Sequence, residues 1–328
     1  MVATISLIVI LSLASDCTRI IDRPSSGFGY SFRSVYNSPG DFLGMRLRLM
    51  TEQDIPVGLR LNTLSGWNQT AVDWHRFLDN SPNGCFVMEH DSKVVGTATT
   101  ISYENRFAWI GMVLVDPEYR KQGIGTQLLR KTVEYLDQRH VPTMKLDATP
   151  LGKPLYQKLG FVTEFEIERL VLKRPSEAAS TALRSTRTHV GKVQLEPVVR
   201  MDREVFGANR GFLLRSLFRE APELAVTVRE DGAPHAYAFG RRGAFADHLG
   251  PWTATSRESA EVLLKAFLAR SSRETLIVDC VKSNVVACEL LSACGFAPSR
   301  PLTRMTRGPN TFRGRPDLMC AILGPEFG

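Results

Sequence analysis

A chain of 328 residues, 43% hydrophobic and 23% charged, holds enough material for two domains of ordinary size, each with its own core. Its formal net charge of +7 is spread along the sequence with no basic run carrying interleaved aromatics, which argues against a nucleic-acid partner and suits an anionic small molecule. The six cysteines have neither the paired spacing of a zinc site nor the density of a disulfide scaffold, so they read as buried thiols and no metal is expected; Cys280 and Cys288 are the pair that could meet, across a strand and the following helix.

Met1 to Ala14 is an apolar run resembling a signal-peptide core, but it has no lysine or arginine before it, and Asp16 spoils a lipoprotein-type cleavage site at Cys17. The run is too short for a secure transmembrane helix, and no stable membrane association is expected. Residues 1–44, punctuated by Pro24, Gly27, Gly29, Pro39 and Gly40, read as a loosely ordered extension.

The folded part is expected to begin with the alternating strand Met45 to Met50. Thr51 can cap a helix through Leu59 and Leu61, Ser65-Gly66-Trp67-Asn68 breaks it, and a second helix carries Val72, Trp74, Phe77 and Leu78. Trp74 at helical spacing reads as core, and His75 as a solvated helix residue. From Gly84 the pattern turns to strands: CFVMEH and VVGTATTISY, joined at Asp91-Ser92-Lys93, then the continuously apolar WIGMVLV, which reads as a central strand buried on both faces.

The chemistry lies just beyond that central strand. Arg120-Lys121-Gln122-Gly123-Ile124-Gly125-Thr126 leads directly into an amphipathic helix reaching Leu136. Gly123 and Gly125 allow left-handed backbone and close approach of a ligand, and the first amides of a helix have no internal partner, so the stretch reads as a seat for a pyrophosphate. Arg120 and Lys121 add positive charge. A Rossmann loop would want G-x-G-x-x-G and a Walker loop G-K-[ST]; neither is present at this place.

R-x-x-G-x-G between a strand ending in V-D-P and a long helix resembles the acetyl-CoA signature of the GNAT N-acetyltransferases. Asp147-Ala148-Thr149, then Pro154 to Lys158 and Gly160-Phe161, is similar to that family's fifth strand, last helix and Y-x-x-x-G-F turn, so the resemblance covers about Met45 to Leu172. It implies an α/β (α+β) fold with a mixed, mainly antiparallel central sheet flanked by helices. It also implies acetyl-CoA as donor without a metal, its pantetheine arm on the backbone of Val113, Leu114 and Val115 and its pyrophosphate on residues 120–126. Trp67 and Asn68 would wall the acceptor pocket. Tyr156 would donate a proton to the departing thiolate, since a phenol is protonated at neutral pH. The base for the amine is left open between Glu104 and a water chain. Because acetyl-CoA is a cytosolic metabolite, a cytoplasmic protein is expected, with the signal-peptide reading as the alternative.

Residues 173–190, with KRPSEAAST and RSTR, read as a linker between a GNAT domain at 45–172 and a second GNAT-like domain at 191–328. The second part repeats the order of elements: a hairpin from Glu223–Arg229 and His235–Gly240 around Asp231-Gly232, a strand Phe245–Leu249, a helix Ser256–Arg270 capped by Thr255 or Ser256, a strand Leu276–Cys280, a short helix Asn284–Ala293, and Gly295-Phe296 echoing Gly160-Phe161. In place of the glycine loop it has Leu249-Gly250-Pro251-Trp252-Thr253-Ala254-Thr255, with a proline lacking an amide donor and a bulky indole, so no pyrophosphate is expected there. G-P-W, R-x-x-R-M at Arg300 to Met305 and the closing G-P-E-F-G resemble the C-terminal domain found after a GNAT domain in a group of bacterial proteins.

The function implied is acetyl transfer from acetyl-CoA to a small-molecule amine, or to a protein N-terminus or lysine. The alternative of another class is an acetyl-CoA sensor or interaction protein without turnover. The oligomeric state is open.

Overall fold

The computed structural model describes residues 44–174, 190–191 and 193–328; the N-terminal extension, apart from Gly44, and most of the expected linker lie outside the described residues. The first half runs β1 (Met45–Leu49), α1 (Ile55–Leu64), α2 (Ala71–Asn80), β2 (Phe86–His90), β3 (Lys93–Tyr103), β4 (Phe107–Val115), α3 (Ile124–Gln138), β5 (Met144–Ala148), α4 (Lys153–Lys158) and β6 (Val162–Lys173). The second repeats it: β7 (Val190–Gly191), α5 (Leu195–Phe206), α6 (Gly211–Glu220), β8 (Val226–Glu230), β9 (Ala233–Arg242), β10 (Asp247–Ala254), α7 (Arg257–Arg270), β11 (Thr275–Val281), α8 (Val285–Ala293) and β12 (Ala297–Arg307). A last strand, β13 (Met319–Ala321), has no counterpart in the first half.

The helix starts are set by short-range chemistry. The amide of Thr70 donates to the Asp73 carboxylate three residues on (2.8 Å), and Ser256, one of the two expected caps, accepts from the Ser259 amide at the start of α7. Asn284 is likewise a cap, its Oδ1 accepting from the Ala287 amide (3.0 Å), rather than the first residue of its helix.

Among the described residues the thirteen strands belong to one sheet, in the order β1-β2-β3-β4-β5-β12-β6-β11-β13-β10-β9-β8-β7. The two halves are joined by exchange at its centre. β12 lies between β5 and β6, with Thr303 opposite Ala148 and Leu302 opposite Ile167, while β6 continues onto β11 with Arg169 opposite Asp279. Each half therefore completes its sheet with a strand from the other.

Apolar side chains divide between the faces by strand alternation. On one face Ala108, Ile110, Leu146 and Met305 pack with Leu129 of α3 and Tyr156 of α4. On the other, Trp109 packs with Trp74, Phe77, Phe206, Leu213 and Phe327, which brings α1, α2, α5 and α6 together under the sheet. Trp74 is fully buried, as its spacing indicated.

The strand expected at Phe245–Leu249 both starts and ends later in the chain. The segment Leu249–Thr255 is not a turn: β10 runs through it to Ala254, with a cis Gly250–Pro251 bond and a register shift between Leu249 and Trp252. The thiols of Cys280 and Cys288 do meet, at 3.6 Å, and five cysteines among the described residues are free.

Candidate active site

The site begins where two parallel strands part. β4 and β5 pair only at Ala108–Met144 and Trp109–Lys145, and beyond those residues they diverge. β4 also carries an irregularity opposite Thr97–Thr99, where Met112 takes a positive φ of 49°, and the Thr97 hydroxyl donates to the Met112 carbonyl (2.8 Å) to satisfy it. The gap opens into a cleft of about 650 Å³ lined by Ile110 to Val115, by Leu64, Ser65, Trp67 and Gln69 from the α1–α2 region, and by Asp147, Thr149, Leu155 and Tyr156 beyond β5.

At one end stands the glycine turn. Lys121 and Gly123 both have positive φ, 63° and 83°, and Gly123 is the residue before the first turn of α3. A Cβ on Gly123 would touch nothing, so the space beside this backbone is open, while the left-handed angle itself favours glycine. Arg120 and Gly125 line the cleft; Lys121, Gln122 and Gly123 are exposed, and Ile124 is buried in the core with Leu128. Arg60 of α1 reaches Asp116 (2.7 Å), which ties that helix to the turn before the loop. Exposed cations beside amides at a helix start fit an anionic phosphate group.

Tyr156 lines the middle of the cleft on α4, its ring edge-on to Phe161 with centroids 6.2 Å apart. Burial alone pushes its phenol up to about 12, with no hydrogen bond or charged neighbour among the described residues contributing to the shift.

The rest of the cleft wall comes from residues to which no site role was assigned from the sequence, although R-x-x-R-M and the closing G-P-E-F-G were noted as motifs. Arg169 of β6, Arg300 and Leu302 of β12, and Pro325 and Glu326 near the end of the chain all line the cleft. After β13 the segment 322–328 passes beneath β4: Trp109 Nε1 donates to the Pro325 carbonyl (2.9 Å), Tyr103 to the Phe327 carbonyl (2.8 Å), and the Phe327 ring stacks on Phe77 with centroids 4.8 Å apart. Glu326 is buried, with Oε1 at 2.5 Å from Arg241, yet neither carboxylate oxygen accepts a well-oriented hydrogen bond. Asp147 is held by Arg304 through two bonds (2.9 and 2.8 Å); burial raises its carboxyl above the ordinary range against that guanidinium.

Of the residues named from sequence, Trp67, Val113, Leu114, Val115, Arg120, Gly125 and Tyr156 meet at this cleft. Asn68 does not. Its side chain accepts from the amides of Phe245 and Ala246 and donates to the Ala246 carbonyl, pinning the α1–α2 connection to the turn before β10. Glu104 also falls elsewhere. It sits in the β3–β4 turn, bonded to Arg203 (2.8 Å) and to the Asn209 amide (2.8 Å); burial pulls its carboxyl upward, but these donors carry it below the usual range. A carboxylate so engaged, outside the cleft, is not the base for an amine bound there.

The corresponding gap in the second half is closed. β10 and β11 pair from Asp247–Leu276 to Leu249–Val278 and then part, but β13 fills the space, with Trp252 and Cys280 both opposite Ala321. A Cβ at Gly250 would stand 2.0 Å from the Ile322 carbonyl oxygen, so only glycine admits the strand at that point.

Among the described residues no group of histidine, cysteine, aspartate or glutamate side chains could hold a metal ion, and no helix is long and apolar enough to cross a membrane.

Residues 59–161 match the Acetyltransferase (GNAT) family and residues 198–319 match a second Acetyltransferase (GNAT) domain. The chain is 24% identical to a holothin acyltransferase of Pseudoalteromonas sp. (strain SANK 73390) over 80% of its length and 87% of that protein. A candidate acetyltransferase of Pyrococcus horikoshii superposes with a TM-score of 0.74 at 25% identity, over 89% of this chain and 99% of that one. A GCN5-related N-acetyltransferase of Sphaerobacter thermophilus, at 18% identity, shares the fold with a TM-score of 0.59 over 80% and 95%. Two GNAT domains in tandem, an open strand gap in the first and acyltransferase relatives along most of the length together establish that the chain belongs to the GNAT family and is an acyltransferase.

Proposed function

We propose that the protein moves an acetyl group from acetyl-CoA to a primary amine of a small molecule, by direct attack with both substrates bound. The observation carrying this reading is the β4–β5 gap, which has a phosphate-suited helix start at one end, Tyr156 in the middle and a buried carboxylate, Glu326, across it. A small acceptor is favoured because the chain's own segment 322–328 occupies the face under β4, leaving a bounded cleft rather than an open channel for a polypeptide.

The pyrophosphate sits on the amides of residues 121–126 with Arg120 and Lys121 beside it, and the pantetheine arm runs along Val113 to Val115. A thioester is already activated, so alignment accounts for much of the rate. The neutral amine's lone pair attacks the thioester carbon, the C–S bond breaks, and the thiolate takes the Tyr156 proton. The proton lost by nitrogen goes to Glu326, directly or through water, with Arg241 holding that carboxylate in place.

An amine panel with free-thiol detection tests this. Thiol release that depends on both acetyl-CoA and an amine, with an N-acetylated product, is the expected outcome. Binding of acetyl-CoA with no thiol release from any acceptor would leave a sensor instead.

A further inference from the structure

The charges lining the cleft are matched, except for Arg120, exposed beside the glycine turn with its Nε donating to the Val115 carbonyl, and Arg300. Asp147 is paired with Arg304, Arg169 is forked onto Asp279 by two 2.7 Å bonds, and Glu326 is beside Arg241. Arg300 has no carboxylate partner among the described residues, and its Nε is buried without a hydrogen bond. It stands directly opposite Arg169 in the β12–β6 register, so two guanidinium groups share the single charge of Asp279. Burial and the neighbouring Arg169 both press its pKa downward, but an arginine stays protonated at neutral pH. His248, the other neighbour of Asp279 (3.1 Å), is kept neutral by burial and adds no charge to offset.

An uncompensated, half-buried cation in a substrate cleft is unfavourable until an anion meets it. Two sources of anion exist, the donor's phosphates and the acceptor. Strand alternation separates them. Arg300, Leu302 and Arg304 point to the face of Asp147 and Trp109, where Arg304 lies 4.5 Å over the indole, whereas α3 and its glycine turn pack on the opposite face with Ala108, Ile110 and Leu146. The donor's phosphates belong to that opposite face.

We propose that the acceptor is an amino-acid-like molecule carrying a carboxylate, and that Arg300 binds this carboxylate while the amine meets Glu326. The inference rests on the acyl-transfer reading for the direction of the amine, but its central claim is a binding claim and is tested as one. A planar guanidinium with a free edge takes a carboxylate through parallel N–H donors, which a lysine cannot reproduce.

The full-length chain, saturated with CoA, is titrated calorimetrically with a panel of N-acetylated amino acids and their carboxamides, which are product analogues differing only in the charge. At least one acid should bind about thirtyfold or more tighter than its amide, the range expected for a buried charge pair. Arg300→Gln should collapse that ratio to within about threefold, Arg300→Lys should keep part of it, and acetyl-CoA affinity should be unchanged in both. Equal binding of every acid and amide in the unaltered chain overturns the proposal without any variant. A loss of acetyl-CoA affinity in Arg300→Gln would overturn it too, by assigning the cation to the donor. Absence of thiol release with every amine would instead sink the transfer reaction, leaving the acid-to-amide ratio to stand or fall separately.

Discussion

At the scale of single residues, Tyr156 is the clearest case of a side chain whose surroundings suit one chemical task. It lies in the cleft, and burial holds its proton well beyond neutral pH. Tyr156→Phe should lower turnover by roughly ten- to a thousandfold while leaving acetyl-CoA affinity intact, the order expected for loss of a positioned acid. The sign of the pH effect is fixed by the raised pKa. A phenol near 12 is the protonated donor throughout the neutral and moderately alkaline range, so Tyr156 imposes no fall in kcat up to about pH 10, and the rate rises with pH as the amine loses its proton. An alkaline fall near pH 8 that disappears in Tyr156→Phe would contradict this. Glu326 is the complementary case. Glu326→Gln should cut kcat/KM for the amine by about a hundredfold or more with acetyl-CoA affinity unchanged, whereas turnover equal to that of the unaltered chain would leave the carboxylate a structural role.

Between elements, what was legible in the sequence depended on whether the interaction was local. The α3 start, the hairpin turns and the Ser256 cap are decided by residues within a few positions of one another, and they fall where their spacing placed them, with Asn284 one position out as a cap. The loop and Tyr156 were legible for the same reason, as contiguous motifs. Asn68 was placed in the cleft, and Arg300 and Glu326 were noted only as parts of motifs, because their surroundings are set by distant parts of the chain: Asn68 by the turn before β10, Arg300 by β6, and Glu326 by Arg241 and β4. The β13 segment is the extreme instance. Met319 to Ala321 gain strand geometry only because β10 and β11 part to receive them. Phe327, fully buried against Phe77, anchors the end of the chain beyond them. Phe327→Ala should therefore destabilise the fold by about 3–5 kcal/mol, the usual range for emptying a buried phenylalanine site. It should also weaken acceptor use more than acetyl-CoA binding, since the same segment carries Pro325 and Glu326. Denaturant unfolding and separate titrations of the two substrates measure both effects. Unchanged stability would mean that the segment is not held as the contacts indicate.

Over the described residues, the two halves repeat one order of elements, and the strand gap is open in the first and filled in the second. A strand from each copy is built into the other: β12 between β5 and β6, and β6 against β11. Removing the second half would expose the edge of β5 and leave β6 without either of its neighbours, so residues 45–172 alone should fail to melt cooperatively where the intact chain does. The gap in the second copy is filled by β13, and its strand β10 passes through Pro251, which has no amide to offer, and the fully buried Trp252. The intact chain should then bind one acetyl-CoA, because pyrophosphate binding needs several unobstructed amides at a helix start and residues 121–126 supply them. Replacing both Gly123 and Gly125 by valine should abolish binding. A side chain at Gly123 is strained by its positive φ, and one at Gly125 projects beside Val115 on the wall of the cleft. Calorimetric stoichiometry of the intact chain and of this double variant, each first shown to melt cooperatively, decides the matter. Two sites in the intact chain would require β13 to leave the second gap, and one surviving in the variant would place the phosphates away from α3.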